Sequence, residues 1–500
     1  MVNISCRLTR KLTLSEKDTS SKVIPIHKAD DAQSSAFLYA SMPKIYPRSV
    51  HGLFARWRWL GVLITQLVFY GLPWLEWGQR QAVLFDLEAK RFYIFGLVLY
   101  PQDFIYLTGL LVVSALSLFL FTAVAGRLWC GYACPQTVYS ELFLWIERKV
   151  EGDRSARMRL DAGDMSLEKL VKKTYKHIIW LGLSIWTGFT FVGYFTPIHE
   201  LGMEFFQTCM GSWEVFWVLF YGFATYGNAG FMREQVCKYM CPYARFQSAM
   251  FDRDTLIVTY DERRGEPRGS RSRHVALTDT GLGACVDCDL CVHVCPTGID
   301  IRNGLQYECI GCAACVDVCD SVMEKMGYDK GLIRYATQNA MQNGWNNSLM
   351  WRRIFRPRVL IYTGVLWTLI LILGLSLWLR MPLKVDVIRD RGMPRITQQG
   401  DIENVYRLQI MNATEAKQGL HIQVRGLDGM AINASDELGV EAAQSRWMPV
   451  RVSVPYEQLT PGSHAIWFDV SNDDGSLHVT EKAVFLVPRK YKKAKVMECL

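Results

Sequence analysis

The chain lacks several features that would have pointed to common functions. No glycine-rich phosphate-binding loop and no flavin motif occurs in it, so a bound nucleotide is not expected to serve its chemistry. The first fifty residues are polar and have no apolar core segment, so they are not expected to be a signal peptide. Residues 198–212 contain no Lys or Arg, and residues 359–379 contain no charge of either sign. The 15 cysteines are clustered in a long chain rather than spread through a small secreted one, which argues against a disulfide scaffold. The net charge of +8 is modest, and its Lys and Arg gather beside apolar runs, so nucleic acid is not an expected partner.

The apolar residues carry the positive evidence. Half of the 500 residues are hydrophobic and 12% are aromatic, a composition that with long apolar runs points to a membrane protein. Five segments have about the length of a span: Trp59–Trp77, Phe104–Ala125, Ile178–Phe195, Trp213–Phe231 and Val359–Leu379. Glu214 and Asn228 make the fourth the least regular. The run Phe92–Tyr100 is too short to span and is expected at the interface. Residues 127–177 carry ten Lys and Arg and residues 232–358 carry seventeen, so both are expected inside, with the N-terminus. An odd number of spans then places the C-terminal part outside.

Beyond Arg380 the pattern changes to alternation. Tyr406-Leu408-Ile410, Leu420-Ile422-Val424 and Val450-Val452-Val454 read as strands, as do the runs around Trp467 and Phe485. Asp428-Gly429, Pro461-Gly462 and Asn472–Gly475 supply turns, and strands at this spacing suggest a β-sandwich. It holds no catalytic constellation, so docking or stability is its expected role.

Eight cysteines form a doubled run. Cys285, Cys288, Cys291 and Cys295 are followed by Pro296, and Cys309, Cys312, Cys315 and Cys319 repeat the spacing. Three thiolates spaced this closely wrap one corner of a cubane, and in two-cluster ferredoxins the fourth ligand comes from the other run. One [4Fe–4S] cluster is therefore expected on Cys285, Cys288, Cys291 and Cys319, and a second on Cys309, Cys312, Cys315 and Cys295. Structural zinc prefers two separated C-x2-C pairs. Asp320 departs from the pattern, standing where a Pro often follows the fourth cysteine.

Four further cysteines form two C-x3-C-P pairs, Cys130/Cys134 and Cys237/Cys241, each after a pair of expected spans. Their offset of 107 residues also aligns Tyr132 with Tyr239 and Tyr139 with Phe246, as an internal repeat would. Pro suits the first turn of a helix, whose dipole and free N–H groups are expected to lower a thiol's pKa. Four thiolates at one face would suit Cu(I) or another thiophilic ion, with Met232 and Met240 as added ligands. Buried packing cysteines are the competing reading. His199, Met203, Cys209 and Met210 could meet an incoming metal but read more simply as loop residues. His177 reads as interfacial, Cys6 and Cys499 carry no motif, and Asn412-Ala-Thr414 matches a glycosylation acceptor that a bacterial chain would not use.

Together, W-C-G-Y-A-C-P-Q, C-K-Y-M-C-P, the doubled ferredoxin run, P-Q-D-F at Pro101–Phe104 and the late span before a β domain resemble the cytochrome c oxidase accessory proteins of the CcoG/FixG/RdxA type. The resemblance runs from about Tyr46 to the C-terminus. It implies a multi-span α-helical membrane protein with a cytoplasmic ferredoxin-like 2[4Fe–4S] domain and a C-terminal immunoglobulin-like β-sandwich. The expected parts are a polar segment at 1–56, a four-span domain at 57–251, the ferredoxin-type domain at 252–350, a fifth span at 351–380 and a periplasmic β domain at 381–500. The implied role is reduction of Cu(II) to Cu(I) for assembly of a cbb3-type oxidase in a bacterial inner membrane. Cys130, Cys134, Cys237 and Cys241 match the family's membrane-proximal pairs, and their softness as ligands, rather than the resemblance, is what places them at the expected copper step. Expected partners are a cytoplasmic electron donor or quinol, a copper chaperone or oxidase subunit, and a second copy of the chain. A quinol-linked subunit of a periplasmic reductase and a non-enzymatic assembly scaffold are the alternatives.

Overall fold

The computed structural model describes residues 44–78, 80–273, 281–397, 400–433, 438–455 and 459–488. Cys6, Cys499 and most of the polar N-terminal segment lie outside them. The chain divides into two units, Met1–Ile45 and Tyr46–Leu500, and the described helices and strands all belong to the second.

Each of the five apolar segments contains a long helix: Leu53–Gly71, Phe104–Ala125, Leu167–Val192, Ser212–Gly230 and Pro357–Trp378. Among the described residues two helices, Pro101–Ala125 and Pro357–Trp378, are long and apolar enough to cross a membrane. The other three are diluted by polar residues. Arg56 and Arg58 open the first, and Lys169 to Lys176 open the third. The first was expected to reach Trp77 but stops at Gly71, because Leu72-Pro73 turns the chain and Pro73 has no N–H to continue the ladder. Glu214 caps its own helix, accepting from Gly211 N at 2.9 Å, which explains its place at the head of an apolar run. Gly188 and Gly222 let the third and fourth helices touch: a Cβ on Gly188 would stand 2.2 Å from the Val218 carbonyl.

The run Phe92–Tyr100, too short to span, lies in and after a three-stranded antiparallel sheet of Val83–Asp86, Arg91–Ile94 and Leu97–Leu99. Tyr93, Val98 and Tyr100 are buried there against Met411 and Ala443 of the C-terminal domain. The P-Q-D-F segment seals this joint. Buried Asp103 pairs with Arg380 at 2.7 Å and with Lys384.

The C-terminal domain is a sandwich of two antiparallel sheets. One has the order Ala431–Asn433, Ser445–Pro455, Asp401–Asn412, Leu383–Arg389, with Arg395–Ile396 also on Asp401–Asn412. The other has the order Leu438–Val440, Gln418–Arg425, Gly462–Asn472, His478–Val487. The alternating residues Tyr406, Leu408, Ile410, Val450, Val452 and Val454 fill the core with Ile466, Phe468 and Phe485. Asn412 is fully buried and donates to the Ala416, Val440 and Glu441 carbonyls, so the apparent glycosylation acceptor is a structural corner.

At the other end, a buried ionic seam joins the helices. Glu147, 1% exposed, pairs with Arg157 at 3.1 Å, Arg233 at 3.0 Å and Lys176 at 3.6 Å. Glu151 takes Lys176 at 2.8 Å and Lys173 at 3.0 Å. These groups are paired because isolated charges at this depth would cost several kcal/mol each, on the order of the whole stability of a small domain. Arg233 belongs to the second repeat, so the seam ties the two halves together.

Candidate iron–sulfur centre and membrane-proximal thiols

The doubled run folds around two small cavities, closed by antiparallel strands Ile257–Tyr260 and Ile333–Ala336. Cys285, Cys288, Cys291 and Cys319 line one, with Met323, Leu332, Ile333 and Arg302. Cys295, Cys309, Cys312 and Cys315 line the other, together with Cys291 and the apolar Ile299, Ile301 and Ile310. The crossing follows from the chain path. Cys295 ends the first run, whereas Cys319 lies within the helix Ala314–Met326 that leads away from the second.

Burial pushes Cys291, Cys309 and Cys319 up to about 12 and raises Cys312 and Cys315 as well. Neutral thiols satisfy these apolar walls in the bare chain, while iron's own charge would favour the thiolate. Four soft donors around each enclosed, mostly apolar space fit [4Fe–4S] clusters. Asp320 accepts from Gly331 N at 2.8 Å and so pins the loop before the closing strand. Tyr335 donates to the Gly311 carbonyl at 2.6 Å, inside the second run.

The two C-x3-C-P pairs come together beside this domain. Pro135 and Pro242 open the helices Pro135–Glu151 and Pro242–Met250, with Cys134 and Cys241 as the preceding residues. Cys130 lies on the short helix Leu128–Tyr132, and Cys237 on a π-helical turn, Val236–Met240. Cys130 and Cys237 pack against Ile310, Cys312 and Val318 of the ferredoxin-type domain.

The expected lowering of the pKa is not found at Cys130, Cys134 or Cys237. Burial pushes Cys130 up to about 11, against the Gln247 hydrogen bond and the Arg127 charge, with Cys134 and Cys241 adding to the rise. Burial likewise pushes Cys237 up to about 12, helped by Cys134, Cys130 and Cys241. Cys134 also rises through burial even though the Gln136 and Thr137 N–H groups at the helix start oppose it. At Cys134 the N–H groups act in the expected direction and desolvation outweighs them. That Cys130, Cys134 and Cys241 all act on Cys237 reflects the nearness of thiols drawn from both repeats.

The sequence did not reveal what holds them. Arg127, 7% exposed, donates to the Tyr307 carbonyl, to the Ala244 carbonyl at 2.6 Å and to the Cys309 carbonyl at 3.4 Å. It therefore spans both repeats and the cluster loop. Gln247, fully buried, places its amide 3.4 Å from Cys130 Sγ. Gln136 bridges to the Asn228 and Arg233 carbonyls at 3.0 and 3.1 Å. An Arg three residues before a paired cysteine was the available signal for the first of these.

Met240 is largely exposed, and Met232 precedes the short Arg233–Gln235 turn. His199 faces Glu76 at 3.5 Å and the Trp74 ring, while Met203 and Cys209 are exposed on or just after the helix Ile198–Gln207. His177 accepts from or donates to the Tyr226 hydroxyl at 2.9 Å.

A two-cavity thiol domain joined to apolar helices and an immunoglobulin-like tail defines a class of iron–sulfur electron-transfer protein. Residues 232–338 match the 4Fe-4S dicluster domain family, residues 107–151 a 4Fe-4S binding domain, and residues 373–488 the Ig-like fold at the C-terminal of FixG. The nitrogen fixation protein FixG of Rhizobium meliloti (strain 1021) is 37% identical over 482 residues, covering 88% of this chain and 92% of its own. Protein RdxA of Cereibacter sphaeroides is 38% identical over 417 residues, covering 81% and 87%, and protein RdxB of the same organism 38% over 447, covering 87% and 93%. The chain belongs to the FixG/RdxA family.

Proposed function

We propose that this protein is a multi-span inner-membrane electron-transfer protein that reduces Cu(II) to Cu(I) for the assembly of a cbb3-type cytochrome oxidase. The observation that carries the reading is the abutment of the four membrane-proximal thiols on the Cys309–Cys312 loop, through Cys130, Cys237 and Arg127. Bound clusters supply one-electron carriers, which suit a metal substrate that takes one electron and no proton. The chain's own part is to hold eight thiols in two cavities, to exclude water with Ile299, Ile301, Leu332 and Ile333, and to fix the membrane-proximal thiols with Arg127 and Gln247. Sulfur at that end favours Cu(I) over Cu(II). The cuprous ion then passes to a copper chaperone or an oxidase subunit.

The topology in this reading has the N-terminus and the doubled run cytoplasmic and the β domain periplasmic. Its support is the sorting of segments. Residues 127–177 and 232–358 meet at one end, where Arg48 N donates to the His293 carbonyl and Ser49 to Asp153. Residues 78–102 meet the β domain at the other. Replacing Cys130 and Cys237 together with Ser is expected to abolish Cu(I) formation, read with a Cu(I) chelator, while the signals of the 285–319 centres persist. Full reductase activity in that variant would remove the thiols from the reaction.

A second reading concerns the donor. A cavity of about 1660 Å³ opens between the helices Leu53–Gly71 and Phe104–Ala125 and the strand Ile333–Ala336. Its wall is mostly apolar, with Trp57, Ile64, Phe121 and Trp351, and it carries Tyr132 and Tyr335 hydroxyls 3.3 Å apart. An apolar cavity with a few convergent polar groups suits a quinol. On this reading added quinol reduces the iron–sulfur centres of the purified chain, and Tyr335→Phe slows that reduction without changing the rate seen with dithionite.

A further inference from the structure

We infer that a basic cavity at the head of the first apolar helix binds the phosphate group of an anionic phospholipid. The inference rests on the membrane-spanning reading and is independent of copper. The cavity, of about 620 Å³, is bounded by residues drawn from 47–59, by the helix Pro135–Glu151 and by Val294 and Pro296. Arg48, Arg56, Arg58, Arg148 and Lys149 line it, against two carboxylates, Glu141 and Asp153. With His51 neutral, the wall carries a formal surplus of three positive charges.

Both carboxylates are already engaged. Glu141 pairs with Arg148 at 3.0 Å, and Asp153 accepts from Ser49 N at 3.0 Å and Ser49 Oγ at 3.2 Å. Asp317, the carboxylate at the start of the same helix, is taken by the Phe54 and Ala55 amides. Among the described residues no ion pair is made by Arg48, Arg56 or Arg58. Arg58 is only 9% exposed, and its Nε has no hydrogen-bond partner. A guanidinium held at that depth is costly unless an anion reaches it, and the space it borders is this cavity.

The position selects a lipid over a free anion. On the helix Leu53–Gly71, Arg56, Trp59, Leu63 and Leu67 recur at intervals of three and four and so share a face. Leu63 is 63% and Leu67 75% exposed, so an apolar track leads away from the cations. Trp59 lines the cavity and meets the Trp145 ring edge-on at 6.3 Å, and Lys149 lies over that ring at 6.0 Å. Cations, interfacial aromatics and an exposed apolar track follow one another in the order of a headgroup, a glycerol level and an acyl chain. A basic pocket between helices at the end of a span is the arrangement that takes an anionic headgroup. Val294 and Pro296 form its far wall beside Cys295, so a bound headgroup ties the doubled run to the bilayer surface.

The test is lipid binding to the full-length protein in detergent, followed by native mass spectrometry with phosphatidylglycerol and phosphatidylcholine of the same acyl chains. The inference expects about one tight phosphatidylglycerol per chain, preferred over phosphatidylcholine by roughly a hundredfold for three surplus cations. Arg56→Gln/Lys149→Gln, both at exposed positions, is expected to weaken it about fivefold for each cation lost, whereas Arg407→Gln/Arg451→Gln on the β domain, equal in charge, leaves it unchanged. Arg58→Gln is expected to weaken it as well, and the exposed pair keeps the test decisive if that buried variant does not fold. Equal binding of the two lipids, or wild-type binding in the exposed double variant, overturns the site. Inorganic phosphate that binds as tightly as phosphatidylglycerol and displaces it overturns the lipid assignment. Either result leaves the spanning and copper readings standing. A chain that leaves membranes as a soluble protein in alkaline carbonate overturns the spanning reading, and the inference with it.

Discussion

The two C-x3-C-P pairs share a spacing, a proline and a following helix, yet their settings differ. The first pair precedes a helix of 17 residues that carries Glu147 and Glu151 into the ionic seam, and its Gly131 lies against Cys312. The second sits on a π-helical turn before a helix of nine residues, with Tyr239, Met240 and Phe246 exposed around it. Tyr132, the partner of Tyr239 in the repeat, is instead turned toward Tyr335. The repeat preserves the cysteine-bearing backbone, while the scaffold around it has divided its tasks. One half is the anchor, and the other closes over it.

That asymmetry can be attacked from its strongest point downward. Glu147→Ala leaves Arg157, Arg233 and Lys176 buried without their shared partner and is expected to cost about 3–5 kcal/mol, seen as loss of folded protein in detergent-resistant thermal assays. Stability near wild type would mean the seam is hydrated and the first half is no anchor. Gly131→Ala pushes a methyl into Cys312 and is expected to cost about 1–3 kcal/mol and lower the iron content. Its repeat counterpart, Lys238→Ala, should do neither, and equal effects at both positions would erase the difference between the halves. Gln247→Ala removes the amide beside Cys130 for about 1 kcal/mol, read as a shift in the unfolding midpoint, whereas Ser140→Ala at the matching position should be near neutral.

The smallest effect concerns pH. Asp153 is partly desolvated, which alone would raise its pKa. Hydrogen bonds from the Arg154 and Ser49 N–H groups and the Ser49 hydroxyl, with the Arg157 charge, outweigh this and hold it low. A depressed carboxylate contributes stability that is complete above its unfolded pKa of about 3.9 and is lost as pH falls through the folded value. The stability gap between wild type and Asp153→Asn should therefore be present at neutral pH and narrow below about pH 4. A gap that did not change with pH would show that this contact does not depend on charge.

Legibility followed the range of the signal. The dicluster domain could be read because the cysteines of the doubled run are local and their spacing is chemistry. The strands at Tyr406 and Val450 could be read because burial alternates with period two. The sheet at 83–99 could not, since its strands are three or four residues long and take their apolar neighbours from Met411 and Ala443, far along the chain. Arg127 and Gln247 escaped notice for the same reason. Their partners, the Ala244 and Tyr307 carbonyls and Cys130 Sγ, exist as a set only after both repeats have closed. The thiols' acidity was misjudged because the helix start is written in the sequence and the depth of burial is not.

The helix Leu53–Gly71 begins after Gly52, which has no side chain with which to cap it. The cap comes from Asp317, whose carboxylate accepts from Phe54 N at 3.2 Å and Ala55 N at 2.7 Å. Asp317 lies between Cys315 and Cys319. The first apolar helix is therefore finished by a residue made more than two hundred positions later, on the helix Ala314–Met326 between two cysteines of the doubled run. Loosening the turn that carries Asp317 would leave the Phe54 and Ala55 amides without their acceptor, so the start of this helix and the thiol domain hold or give way together.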